Sequence, residues 1–214
     1  MQTSAATEPA LLRPSGATAR VAVAGATGYA GQELLRVLAR HPAATITLAT
    51  SSTSESASRR LPALARIWNG SLTPLDPTAL AREADIVFLA LPETASAEVA
   101  LPLLARNVRV IDLSGAFRIR DDQDRRRWYP ATASLPEGVV YGLPERHAEA
   151  IRGARLVSCP GCYPTAALLA LEPLEAAGLV DGTVIVDAKS GISGAGKSPT
   201  DRTHFSENHG SVAA

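Results

Sequence analysis

The chain has 214 residues, enough for one large domain or two small ones. Hydrophobic residues make up 46%, so a sizeable core can form, while 20% charged residues at a formal net charge of +0 leave no footprint for nucleic acid or for an anionic membrane. No apolar run is long enough to span a bilayer.

Residues 1–19, rich in Ala, Thr, Ser and Pro, read as a disordered tail without the charged and apolar regions of a signal peptide. Arg20–Ala24 is a short β-branched run that ends in a glycine cluster, which predicts a buried strand. Tyr29–Arg40 carries Leu34, Leu35 and Leu38 at helical spacing, and His41-Pro42 ends it. Thr45–Ala49 is a second strand, followed by a polar loop over Thr50–Arg60. Asp85–Leu91 is the most apolar strand, Glu93–Arg106 a helix and Val108–Leu113 the next strand. From Ser114 to Arg152 the pattern weakens, and Arg125-Arg126-Arg127 reads as a solvated helix face. Arg155–Ser158 is a short strand, Thr165–Ala177 a helix and Thr183–Ala188 a strand before Gly191, Gly194 and Gly196. Strands alternating with helices predict an α/β fold with a parallel sheet built from βαβ units.

Two stretches carry chemistry. The first strand runs into Gly25-Ala26-Thr27-Gly28-Tyr29-Ala30-Gly31, a G-x-x-G-x-x-G variant of the dinucleotide fingerprint. One glycine turns the chain, one admits the pyrophosphate, and one packs helix against sheet. The pyrophosphate then meets free N–H groups at the positive end of the helix dipole. After the second strand stand Thr50-Ser51-Ser52-Thr53-Ser54, where NAD enzymes usually place an acid. The first acid is Glu55, with Arg59-Arg60 behind it, and this polarity suits the 2′-phosphate of NADP(H).

The second stretch is Ser158-Cys159-Pro160-Gly161-Cys162-Tyr163-Pro164-Thr165, which joins a strand to a helix. Near a helix N-terminus the dipole favours a thiolate, and Pro164 suits a first turn. Cys162 is therefore placed for covalent catalysis. An inert buried cysteine and a Cys-x-x-Cys redox pair are the competing readings, the latter disfavoured by the dinucleotide domain in front. Two adjacent cysteines make no disulfide framework, so a reducing cytoplasm is expected. No metal site is expected.

Six motifs occur in order: Gly25 to Leu34, Ala90-Leu91-Pro92, Asp112 to Arg118, Tyr141-Gly142-Leu143-Pro144-Glu145, Pro160 to Thr165, and Lys189 to Gly196. Together they resemble the N-acetyl-γ-glutamyl-phosphate reductases of arginine biosynthesis. The resemblance runs from Arg20 to the end of the chain. It implies NADPH-dependent reduction of an acyl phosphate to a semialdehyde through a thioester on Cys162. It implies cofactor contacts from Gly25, Thr27, Gly28, Tyr29, Ala30, Gly31, Ser51, Ser52, Pro92, Ser190 and Gly191. It also implies a Rossmann-type parallel sheet domain over 20–158, then an incomplete α+β catalytic and oligomerisation domain over 159–214, a small-molecule substrate and a homodimer or homotetramer at full length; the charge balance already argues against a nucleic-acid or membrane partner. Where the family often has Asn before Pro-Gly-Cys, this chain has Cys159. Family members are longer and carry a His-x-His-Pro-Glu-Ile-like motif whose histidine serves as acid/base. This sequence lacks that motif, so little or no turnover is expected from these 214 residues alone. His41, His147, His204 and His209 read as surface residues rather than replacements. A carrier-dependent reductase of lysine biosynthesis, an aspartate-semialdehyde dehydrogenase and a non-catalytic NADP-binding module are the alternatives.

Overall fold

The computed structural model describes residues 18–51, 60–130, 132, 134–198 and 200–204. Seven strands form one sheet: β1 (Ala19–Ala24), β2 (Ala44–Ser51), β3 (Thr73–Pro74), β4 (Ile86–Leu89), β5 (Arg109–Asp112), β6 (Val140–Tyr141) and β7 (Leu156–Ser158). Their order is β3-β2-β1-β4-β5-β7-β6, and every pairing is parallel. The helices are α1 (Tyr29–Leu38), α2 (Pro77–Glu83), α3 (Glu93–Ala105), α4 (Asp122–Trp128), α5 (Pro144–Gly153) and α6 (Cys162–Ala176).

The small alternating residues of β1 explain its central place. Val21 and Val23 join Leu35 and Leu38 of α1 in one buried cluster. Ala22 and Ala24 join Leu80 of α2 and Val99, Ala100 and Leu103 of α3 in another. Helices thus cover both faces of this strand, and burial on both sides is what its unbroken apolar run implied. The chain leaves β1 for β2 on one side and returns to β4 on the other. In parallel open sheets that switch point opens a crevice at the strands' carboxyl ends.

Several expectations need correction. Ala19 is the first residue of β1, not part of a tail: its N–H donates to the Ala43 carbonyl at 2.9 Å. β2 runs on through Thr50 and Ser51, both buried, because those hydroxyl side chains tolerate extended backbone and the ladder with β1 continues to Thr50. α6 begins at Cys162 rather than Thr165. Thr183–Ala188 belongs to no strand among the described residues, and Ile185 stands 89% exposed. β-propensity describes a side chain that suits a pleated, half-buried surface, and nothing described pairs with this segment. α6 and everything described after it contain no buried residue.

Residues 114–152 hold α4, in keeping with the helical reading of Arg125-Arg126-Arg127, and β6 and α5, which the weak hydrophobic pattern did not disclose. Arg125 is not solvated but 1% exposed. Its guanidinium donates to the carbonyls of Ile119, Arg120 and Thr132, and it pairs with Asp122. Its neighbours follow the sequence reading better: Arg126 is exposed and Arg127 lies 5.1 Å over the Trp128 ring. Arg125 therefore ties off the loop that carries Arg118 and Tyr129. Arg125→Met should cost about 3 kcal/mol in urea unfolding, because three carbonyls, that of buried Thr132 among them, lose their donor. A loss below about 1 kcal/mol would show that water reaches them.

Candidate active site

Because all strands run in parallel, the segment following each of them emerges at one rim of the sheet. The glycine turn follows β1, Leu91-Pro92 follows β4, Ser114 to Arg118 follow β5, Gly142 follows β6 and Cys159 to Cys162 follow β7. Five of the six motifs are thereby gathered at one edge. The sixth, Lys189 to Gly196, comes back to that edge as an exposed loop.

The glycine turn is fixed from three sides. The N–H groups of Gly25 and Ala26 donate to the Thr50 carbonyl of β2 at 3.1 and 2.8 Å. Gly25 has φ +83°, and a Cβ there would lie 2.2 Å from the Ala90 carbonyl oxygen. A Cβ on Gly31 would lie 2.3 Å from the Gly25 oxygen, so helix and turn touch backbone to backbone. Gly28 differs: its φ is −71°, and a Cβ would meet only the Gly25 oxygen, at 3.6 Å. Gly28 is the N-cap of α1, and no side chain caps that helix. The first-turn N–H groups of α1 therefore point out of the sheet edge unmet by any side-chain cap. Tyr29 and Ala30 are exposed there, and Thr27 is half-buried. Ser51 is buried at the end of β2, while Ser52 and Arg59 lie outside the described residues. Pro92 is the exposed N-cap of α3.

Cys162 is the first residue of α6, after Gly161 as N-cap. The Thr165 hydroxyl donates to the Gly161 carbonyl at 2.8 Å and steadies that first turn. Cys162 is exposed, and two cavities meet at it. One, of about 460 Å³, runs along α6 to Lys189 and Ser190. The other, of about 440 Å³, is bounded by Arg118, Tyr129, Tyr141 and Tyr163.

Arg118 is the functional candidate that the residue-by-residue sequence reading passed over. Its Nε donates to the Cys159 carbonyl at 2.8 Å and its Nη2 to the Leu113 carbonyl at 2.7 Å. Those bonds aim the guanidinium into the second cavity. The turn behind it is set by Asp112, which is buried and accepts from the N–H and hydroxyl of Ser114 at 3.1 and 2.7 Å. Burial nevertheless raises the Asp112 carboxyl above its ordinary range. Tyr141 is likewise raised by burial, with the Arg118 charge opposing the shift. The signal in the sequence was an arginine following a strand end.

Cys159 is half-buried where Cys162 is exposed. Burial, and then the charge of Asp112, push its thiol up to about 11. At pH 8 only about one part in a thousand is thiolate. Iodoacetamide at that pH should label Cys162 and spare Cys159 until the protein is unfolded, as read by peptide mass mapping. Equal labelling in the folded protein would contradict this placement.

Two family models match the chain: the semialdehyde dehydrogenase NAD binding domain over residues 20–154, and the semialdehyde dehydrogenase dimerisation domain over residues 162–214. The chain belongs to the semialdehyde dehydrogenase family. The family relationship extends to curated relatives. The N-acetyl-gamma-glutamyl-phosphate reductase of Shouchella clausii (strain KSM-K16) is 46% identical over 195 residues, which is 88% of this chain and 57% of that protein. The protein of the same name from Desulforudis audaxviator (strain MP104C) is 45% identical over 197 residues, 89% and 57% of the respective chains. The chain thus spans about 57% of the length of these curated relatives. Aspartate semialdehyde dehydrogenase II from Vibrio cholerae, solved with ASA, superposes with a TM-score of 0.53 over 75% of this chain and 47% of its own, at 23% identity. The Candida albicans aspartate semialdehyde dehydrogenase with NADP gives 0.52 over 77% and 48%, at 18% identity. Both likenesses are of fold. Among the described residues no helix is long and apolar enough to cross a membrane.

Proposed function

We propose that the protein takes part in NADPH-dependent reduction of N-acetyl-γ-glutamyl phosphate to N-acetylglutamate 5-semialdehyde and phosphate, through a thioester on Cys162. One observation carries the reading: Cys162 opens α6 where two cavities meet, at the sheet edge that also bears the glycine turn. The identity of 42–46% to proteins named for this reaction supports the substrate. In this reading residues 20–158 form the dinucleotide domain. Residues 159–214 begin a domain that also joins copies into a dimer or tetramer.

The residues present fit a dinucleotide. The turn at Gly25 and Gly31 leaves no room for a Cβ, and the N-terminus of α1 has no side-chain cap. Gly25, Thr27, Gly28, Tyr29, Ala30 and Gly31 would hold the pyrophosphate, with Pro92, Ser190 and Gly191 toward the nicotinamide. Ser51 and Ser52 replace the acid that would bind a free 2′-hydroxyl, which supports NADP(H) over NAD(H). A bound reduced nicotinamide supplies the hydride that takes the thioester to the aldehyde level.

The chain's own residues do the rest. The Cys162 thiolate forms the C–S bond to the γ-carbonyl carbon. The carbonyl oxygen gains charge, and the N–H groups of Cys162 and Tyr163 in the first turn of α6 can meet it. Pro164, with no N–H, contributes nothing there. As the carbonyl re-forms, the C–O bond to phosphate breaks and its electron pair leaves with the phosphate. The Arg118 guanidinium, held by the Cys159 and Leu113 carbonyls, is placed to receive that charge. Phosphate departs as an anion, so acylation requires no proton donor. After reduction the sulfur leaves with its bonding pair and Cys162 is restored.

Acylation can therefore be tested alone. Incubation with N-acetyl-γ-glutamyl phosphate without cofactor should release phosphate and add one N-acetylglutamyl group to the peptide bearing Cys162. Aspartyl phosphate should leave the peptide unmodified. Acylation by aspartyl phosphate instead, or by neither compound, would overturn the assignment.

A further inference from the structure

We infer that Lys197 binds the dinucleotide's pyrophosphate, bringing to the glycine turn a positive charge from the far end of the chain. The inference rests on the cofactor reading above. It adds a residue that neither the glycine fingerprint nor the Ser190-Gly191 loop includes.

Lys197 Nζ donates to the Thr27 carbonyl at 3.3 Å, across 170 residues of sequence. The same carbonyl accepts the Gln32 side-chain amide at 2.8 Å, so its direction is fixed. Lys197 is exposed, and so is the rest of its loop. Burial does not hold it there, and the ammonium makes the contact. The backbone sends it that way. Gly196 has φ +89° and ψ −170°, a region open essentially to glycine alone, and it turns the chain directly after the 3₁₀ turn Ile192–Ala195.

Thr27 lies between Gly25 and Gly28, in the stretch over which a pyrophosphate approaches the backbone. At its N-terminus α1 brings only N–H groups and its dipole, because it has no side-chain cap there and its Arg36 stands in the last turn. An ammonium has three donors. With one on Thr27, two remain for phosphate oxygens at the rim of the turn. The 2′-phosphate is expected elsewhere, beyond the end of β2 at Ser51, so the charge of Lys197 serves the phosphates that NAD⁺ and NADP⁺ share.

The test is binding, independent of turnover. Dissociation constants of NADP⁺ and NAD⁺ are measured by calorimetry for the wild-type protein, Lys197→Gln and Lys197→Arg, at about 50 and 200 mM salt. Lys197→Gln should weaken both dinucleotides by the same factor, roughly five- to tenfold at the lower salt, and flatten the salt dependence. Lys197→Arg should restore most of the affinity. Unchanged affinity in Lys197→Gln, or an unchanged salt dependence, would overturn the inference and leave the cofactor reading intact. A loss confined to NADP⁺ would overturn it too, by placing the charge on the 2′-phosphate. Failure of the wild-type protein to bind either dinucleotide would bring down the cofactor reading and the inference with it.

Discussion

Replacing Cys162 by serine is expected to abolish acylation by N-acetyl-γ-glutamyl phosphate and to lower any phosphate-dependent turnover by on the order of 10⁴-fold or more. A serine hydroxyl at the start of α6 keeps the geometry, since Gly161 remains the N-cap and Thr165 still bonds its carbonyl. What it loses is nucleophilicity, because a serine hydroxyl is a far weaker acid than a thiol and none of the described histidines lines either cavity at this position. His41 is exposed at the end of α1, and His204 is exposed in the terminal stretch. His147 sits in α5, at a kink. Mass spectrometry of the peptide that spans this position, after exposure to the acyl phosphate, reads the result directly. An acyl group on the introduced serine at an undiminished rate, or on Cys159 in the variant, would show that the nucleophile is misassigned. The variant must retain dinucleotide affinity, because Cys162 lies in α6 rather than in the glycine turn. Lost chemistry with retained binding therefore separates its role from damage to the fold.

The glycines offer the second large effect, and the structure separates them. Gly25→Ala combines a left-handed φ of +83° with a Cβ 2.2 Å from the Ala90 carbonyl. That oxygen belongs to the backbone after the central strand β4 and has nowhere to retreat. We expect a loss of about 2–4 kcal/mol in stability, or failure to fold. Gly28→Ala has an ordinary φ of −71° and a Cβ 3.6 Å from its nearest neighbour, so its unfolding midpoint should stay within about 0.5 kcal/mol of wild type. Its methyl group would stand where a pyrophosphate must approach the backbone, and dinucleotide affinity should fall by about tenfold or more. Urea unfolding and calorimetric binding on both variants give the contrast. If Gly28→Ala bound as wild type does, the phosphate would not pass over this turn.

The sequence made most of this sheet legible because its strands are buried on both faces. Val21 to Ala24 and Ile86 to Leu89 are continuous apolar runs that only a covered parallel strand needs. The glycine turn was readable for a related reason, since few other contexts call for two glycines between strand and helix and a third in the helix's first turn. Arg125 was not readable. Three consecutive arginines look identical as letters, and burial of the first depends on three carbonyls brought round by the following loop. Ser51 was placed in a loop because hydroxyl residues are common there, yet the register with β1 carries the strand past it. The most misleading segment was Thr183–Ala188. Its β-branched letters describe a strand, but a ladder requires a partner that no local pattern can supply. Arg118 lay within a quoted motif and Lys197 just beyond another, and only the fold shows which carbonyls they reach.

The sheet ends on both sides in strands of two residues, Thr73–Pro74 and Val140–Tyr141. A strand so short offers a newcomer almost no row of free N–H and C=O groups, and Pro74 has no N–H to give. Because β3 covers only Thr50 and Ser51, Ala44–Ala49 of β2 have no strand partner on their outer side among the described residues, and an open row of that length is the edge along which a further strand would add.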